Sequence, residues 1–254
     1  MQPKEQTHLT VDTAQRSAQS ESSPEVHRLM WSSAWDLAMR GIGLLWTGFL
    51  LVTNVTRLIT FIEGWQAESM PVLVFATAVA ARVAFVTFLL LLVLVFVVRL
   101  KPLAKAPGLG ARIVALCGSF LPTLLGVLPR YEESVLLNLA SFTCIAIGNG
   151  LSVYGFSYLN RSASIMAEAR RLVTTGPYRF VRHPVYMFEE IAVVGVLLNF
   201  VWPPWVATFA LPIVGGHLWC QFQRMKNEER VLEATFPEYA KYKQSTARLV
   251  PGLY

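Results

Sequence analysis

From Val83 to Val98 the chain reads VAFVTFLLLLVLVFVV, sixteen residues with no charge, glycine or proline. Taken with the apolar residues before it, this segment covers about residues 72–98 and is long enough to cross a bilayer as a helix. Backbone amides find no water in the hydrocarbon core, so a lone spanning segment must satisfy them internally. Similar segments occupy about 39–62, 111–129 and 134–157. A last apolar stretch, Val185 to Phe222, is 38 residues long and is broken by Trp202-Pro203-Pro204-Trp205. It is too long for one crossing and fits a helical hairpin that turns at the prolines, with the tryptophans at an interface. Hydrophobic residues make up 54% of the 254 and charged residues 15%, which leaves too little polar surface for a soluble domain. The expectation is an all-α polytopic membrane protein with six transmembrane helices and a cytoplasmic C-terminal helix. Four crossings with a re-entrant final pair is the alternative.

The small charged fraction is not scattered. Links at 99–112 and 157–183 carry four and five Lys or Arg, and the chain from 223 onward carries six. The alternate links at 63–70, 130–133 and 202–205 carry none, one and none. This bias alternates with each expected crossing and puts both termini in the cytoplasm. The formal charge of +6 therefore reads as topology control and contact with anionic membrane lipid, with no nucleic-acid partner expected. Arg170 and Arg171 are read in that way. No internal repeat points to a repeat-built transporter.

Residues 1–30 are polar and low in aromatics, and read as a disordered cytoplasmic tail. They lack the apolar core of a signal peptide, so the first hydrophobic segment is expected to stay as a helix. Cys117, Cys144 and Cys220 have no metal-ligand spacing and the four histidines are dispersed, so no metal site is expected. Gly148, Gly150 and Gly155 read as sites of close helix contact. His217 reads as a helix–helix hydrogen-bonding residue, and Arg82 as a packing, lipid or pocket residue. The chain then organises as N-terminal membrane helices (31–144) and a C-terminal region (145–254) that carries the chemistry.

That chemistry centres on Gly176-Pro177-Tyr178-Arg179-Phe180-Val181-Arg182-His183-Pro184-Val185-Tyr186. Pro184 suits the first turn of a helix, and the turn before it brings Arg179, Arg182 and His183 to the polar mouth beside free helix N–H groups. Counting along a helix puts His183, Tyr186 and Glu190 near one face and Glu189 a third of a turn away. Two acids inside an apolar helix are costly unless solvated or paired. After the hairpin, Arg224, Lys226, Glu228, Glu229 and Arg230 read as an amphipathic helix. Its acids are placed to pair with Arg179 or Arg182 and fold the tail over the same mouth.

The block LVTTGPYRFVRHPVYMFEE, the basic link before it and the ending EERVLEATFPEYAKY…RLVPGLY resemble bacterial members of the isoprenylcysteine carboxyl methyltransferase family. Phospholipid N-methyltransferases are more distant relatives. The resemblance covers about residues 145–254. It implies an integral enzyme of the bacterial inner membrane that transfers a methyl group from S-adenosylmethionine to a lipid-like or small hydrophobic acceptor, a carboxylate or thiol. No obligate protein partner is implied. Carried onto this chain, the cofactor region comprises Tyr178, Arg182, His183, Pro184, Tyr186, Glu189, Glu228 and Glu229, with Arg182, Glu189 and Glu229 as catalytic candidates. Arg248 matches a basic position before the last proline and is read as seating the tail. Some proteins with a similar terminal pattern use a reduced nicotinamide, so an NADPH-dependent membrane reductase is one alternative. A non-catalytic adaptor or transporter is another.

Overall fold

The computed structural model describes residues 24–66, 70–98, 100–129, 131 and 134–251, with only the backbone described at 24–36 and 39. Residues 1–23 of the expected tail, and Arg99 and Arg130 of the charge count, lie outside the described residues. From Pro24 onward the stretch read as tail is helical. Among the described residues are seven α-helices and one two-stranded ribbon. They run α1 (Pro24–Glu63), α2 (Val72–Val98), β1 (Ala104–Lys105), α3 (Leu109–Phe120), α4 (Val135–Leu159), β2 (Glu168–Ala169), α5 (Pro184–Leu198), α6 (Pro204–Thr235) and α7 (Tyr239–Ser245). Within α1 the chain divides into one unit ending at Trp46 and another running Thr47–Tyr254. In the first unit Leu37, Ile42 and Leu45 are exposed on the helix.

The all-α polytopic membrane fold expected from hydropathy forms. Four segments are long and apolar enough to cross a membrane: Arg40–Glu63, Val72–Val98, Leu109–Val127 and Val135–Ser162. The third joins α3 to a 3-10 turn over Leu121–Val127. Large apolar side chains such as Leu90, Leu94 and Val97 point outward from α2, as lipid-facing residues do. The hairpin is less ample. At 15 residues α5 reaches only about 22 Å, short of a hydrocarbon core of roughly 30 Å. Length and apolarity thus support four crossings plus a shorter hairpin rather than six equal spans.

A second difference concerns the end of the chain. The expected separate helix after the hairpin is instead a continuation of α6, which runs 32 residues from Pro204 to Thr235. No glycine or proline lies between Phe222 and Thr235, so nothing interrupts the ladder until Phe236, whose extended backbone precedes Pro237.

Helix α4 is the central post. It packs along α2 on one side and α5 on the other, while α3 packs along α6. The α4–α5 contact depends on missing side chains. A Cβ on Gly148 would sit 2.4 Å from the Ala192 nitrogen, and one on Gly195 would sit 2.7 Å from the Ser141 carbonyl oxygen. Gly155 meets Val185 in the same seam, whereas Gly150 faces open space, so the close-contact expectation fails there. Polar stitching accompanies this approach: Ser141 Oγ donates to the Gly195 carbonyl at 2.7 Å and accepts from Asn199 Nδ2 at 2.8 Å. Arg82 lies 3.8 Å from the Phe61 ring centroid and 5.8 Å from that of Phe142, which makes it a packing cation between helices.

The basic links meet at one end. Ala104 pairs with Ala169 and Lys105 with Glu168 in the β1–β2 ribbon. The Leu100 N–H donates to the Arg161 carbonyl at 2.8 Å, and Arg224 donates to the Ser164 carbonyl at 3.1 Å. Alternating charge along the sequence requires this convergence. At the opposite end Tyr131 and Trp205 pack edge-on with centroids 6.1 Å apart.

Candidate functional site

At the polar end a chain of local constraints sets up the site. Gly176 has φ +61, and a Cβ there would lie 2.3 Å from the Tyr158 ring, so only glycine makes this turn. A 3-10 turn over Gly176–Arg179 follows, and Pro184 then opens α5 at its first position, as expected. Between them the backbone captures the C-terminal segment. Val181 bridges Ala247 in parallel, the Arg182 N–H donates to the Ala247 carbonyl at 2.8 Å, and the His183 N–H donates to the Arg248 carbonyl at 3.1 Å.

Glu229 on α6 locks this arrangement. It is 3% exposed. Its Oε1 accepts from Arg182 Nε at 2.9 Å, Arg248 Nε at 3.0 Å and His183 Nε2 at 3.2 Å, while Oε2 accepts from an Arg248 terminal nitrogen at 2.7 Å. Burial pushes the Glu229 carboxyl up, but hydrogen bonds from His183 and Arg248 and the nearby His183 and Arg182 charges outweigh it. The group is held well below the usual carboxylate range. Arg182 also donates to the carbonyls of Lys243 at 2.7 Å and Thr246 at 2.6 Å. The expected pairing of an acid after the hairpin with Arg182 therefore forms. Arg179 instead lies over its neighbour Phe180, 4.4 Å from the ring centroid.

Beside this clamp opens a cleft of about 820 Å³, its mouth included. Tyr178, Arg182, His183, Tyr186, Glu189 and Glu228 all line it; Pro184 and Glu229 do not. Tyr186 donates to Glu228 Oε2 at 2.7 Å. Burial, with the Glu228 charge beside it, pushes the Tyr178 phenol well above its ordinary range, so it stays protonated. The two acids of α5 have exchanged places relative to expectation. Glu189 lines the cleft with His183 and Tyr186, whereas Glu190 faces α6 and meets His217 Nε2 at 2.9 Å. His183 caps α5 with φ −126 and ψ 58, outside the helix, and Tyr186 has Glu189 at i+3 and Glu190 at i+4, so spacing alone does not separate the two acids; their partners on α6, Gln221 and His217, do. His217 is the helix–helix hydrogen-bonding residue it was read to be.

Several lining residues had escaped sequence reasoning. Arg170, read as a topology marker, is 5% exposed and pairs with Glu168. Arg224 donates to Ser119 Oγ on α3 at 3.3 Å and lies 5.0 Å from the Tyr186 ring centroid. Ser162 and Tyr239 also line the cleft. Arg170 follows Glu168 two residues on, a spacing that places like-facing partners only once the segment is known to be extended. Arg224 was read only as part of an amphipathic face, and no local pattern marks Ser162 or Tyr239.

Residues 137–238 match the family model of phospholipid methyltransferase. The matched region lies in the isoprenylcysteine carboxyl methyltransferase and phospholipid methyltransferase group. It takes in α4, α5, α6 and most of the cleft, and together with the four apolar helices it supports an integral membrane methyltransferase. No curated protein matches the chain by sequence.

Proposed function

We propose that the chain takes methyl groups from S-adenosylmethionine and passes them to a lipid-like or small hydrophobic acceptor, a carboxylate or a thiol, on the cytoplasmic side of a bacterial inner membrane. The cleft at the polar end of the helices carries this reading, since it joins acids, guanidiniums and buried hydroxyls that fall, Tyr239 apart, within the family match. That donor set suits a ligand bearing hydroxyl, amino and carboxylate groups. When bound, S-adenosylmethionine supplies a methyl group on a positive sulfonium, open to in-line attack.

The chain's own residues divide into two groups. Tyr178, His183, Tyr186 and Glu228 hold the cofactor, with Tyr186 fixing the Glu228 carboxylate by its hydrogen bond. Glu189 and Glu228 face a cleft also lined by Arg170, Arg171, Arg182 and Arg224, so its walls carry both signs and suit a ligand that does the same. Glu189 is the acid positioned to take the proton of a thiol acceptor; a carboxylate acceptor has none to give. Arg182 and Glu229, candidates for catalysis from sequence, become positioning residues, because their polar atoms are taken up by each other, by Arg248 and by tail carbonyls. Pro184 sets the start of α5.

Equilibrium titration of the full chain in lipid nanodiscs tests the reading. S-adenosylmethionine should bind, NADPH should not, and Glu228→Gln should weaken cofactor binding about tenfold or more. Binding of NADPH without S-adenosylmethionine would turn the assignment to the reductase; binding of neither would leave the adaptor or transporter reading.

A further inference from the structure

Ile147, Gly150 and Tyr154 follow one another on α4 at offsets of three and four, and so share a face. Ile147 and Tyr154 are exposed there, and a Cβ on Gly150 would meet nothing within 4 Å. Gly148 and Gly155 admit α5, but Gly150 leaves a shallow notch on the outer surface of the helix. Toward the polar end this apolar stripe runs into charge. The Tyr154 hydroxyl lies 3.5 Å from that of Tyr158, and the Arg179 charge acts on the Tyr154 phenol. Arg179 makes no hydrogen bond or ion pair among the described residues; it lies over Phe180, which is 59% exposed. Arg161 and Arg171, also exposed, donate to the carbonyls of Val98 at 2.8 Å and Tyr158 at 3.5 Å. Those bonds fix two guanidiniums at the ends of α2 and α4 without neutralising them. Among the described residues no carboxylate lies within 4 Å of any of the three.

A soluble anion would answer the charge and leave the notch empty. A phosphodiester on an acyl chain answers both, since its oxygens accept from guanidinium and phenol while the chain covers apolar surface. We infer that Arg179 and Tyr154 hold the phosphate of one anionic phospholipid from the leaflet at the polar end, with an acyl chain lying along Gly150 and Ile147. Arg161 and Arg171 add to the attracting field. Of these residues only Arg171 also lines the cleft, so the lipid site is a separate one and does not depend on the methyl-transfer reading. It is nevertheless linked to the cleft. The Tyr158 ring packs against Gly176, at the start of the 3-10 turn over Gly176–Arg179. That turn exposes Arg179 and carries Tyr178 into the cleft wall. A phosphate shared by Arg179 and Tyr154 ties the outer side of the turn to α4 and thereby steadies Tyr178.

The test compares the full-length wild type with Arg179→Gln, Gly150→Leu, Tyr154→Phe and Lys101→Gln. Each is placed in phosphatidylcholine nanodiscs with graded phosphatidylglycerol, and retained lipid is counted by native mass spectrometry. Wild type should keep one phosphatidylglycerol in preference to phosphatidylcholine. Arg179→Gln should weaken that retention about fivefold, the effect of one cation beside anionic lipid. Gly150→Leu fills the notch and should weaken it as well, and Tyr154→Phe should do so about threefold. Lys101→Gln removes an exposed cation from the same basic end and should change nothing. In wild type the lipid should also slow hydrogen exchange at the Tyr178, Phe180 and Val181 amides, whose bonds close the turn, and should not do so in Arg179→Gln. Equal losses in Arg179→Gln and Lys101→Gln would reveal general attraction to a basic surface and overturn the site, as would unchanged retention in Arg179→Gln. Displacement of the lipid by water-soluble glycerol phosphate would overturn the lipid assignment in favour of a free phosphate ester. Exchange that slows alike in Arg179→Gln would overturn the link to the cleft. If Gly150→Leu does not fold, the exposed Arg179 and Tyr154 variants decide by the same criteria.

Discussion

Along the α4–α5 seam the helices approach because Gly148, Gly155 and Gly195 leave no side chain between them, and two hydrogen bonds through Ser141 stitch the contact. At the polar end the turn before α5, the last turns of α6 and the C-terminal segment are held by one buried carboxylate that meets two guanidiniums and an imidazole. The seam relies on shape, the clamp on charge. Inside lipid, apolar helices gain little from hydrophobic burial against each other, so close packing must do the selecting. At the water-facing end charges are affordable, and a single acid can gather segments that are 46 and 19 residues away from it in sequence.

The comparison breaks most readily at the clamp. Glu229→Gln leaves two guanidiniums facing a neutral amide, and should cost about 3–5 kcal/mol and free the C-terminal segment to proteases. Thermal melts in nanodiscs combined with limited proteolysis would register both effects; a protected tail in the variant would show that backbone bonds at Arg182 and His183 suffice. The seam should yield less. Gly148→Val forces the α4 and α5 backbones apart and should cost about 1–3 kcal/mol, with no change in protease sensitivity near Arg248. If that variant freed the tail, the two regions would be one cooperative unit.

Acid sharpens the contrast further. The Glu229 carboxyl is depressed in the folded state, so its stabilisation is complete above the unfolded carboxylate value of about 4.3 and is lost as pH falls through the lower folded value. Melting curves from neutral to strongly acid solution should therefore fall more steeply for wild type than for Glu229→Gln, and parallel curves would refute the assignment. The smallest effect is expected from Lys243→Ala. Its amine pairs with Glu233 at 3.0 Å on an exposed surface, and its contribution to the clamp is made by the backbone carbonyl. A change within about 0.5 kcal/mol is expected; a larger loss would mean that surface pairs share in seating the tail.

Much of the site was legible because it is local. Pro184 at the start of α5 and the turn at Pro203 and Pro204 follow from residue type and spacing, whereas charge left the acid's partner open between Arg179 and Arg182 until the fold chose Arg182. Glu189 and Glu190 show the limit of helical counting: both fall within about one turn of Tyr186, and only the α6 side chains they meet tell the cleft acid from the one on His217. Arg170 shows a different limit. A cation in a basic link obeys the positive-inside rule wherever its side chain points, so charge bias alone leaves a buried partner such as Glu168 unseen.

By itself the sequence determined the solvent, the helical class and the side on which the basic links gather, because long apolar runs and alternating charge act through the bilayer one segment at a time. Only the tertiary structure decided that Glu229 is a clamp, that Glu190 turns to His217, and that Ser162, Tyr178 and Tyr239 line one cleft. Those residues are joined through packing between segments distant in sequence, and no periodicity along a single helix encodes such a meeting.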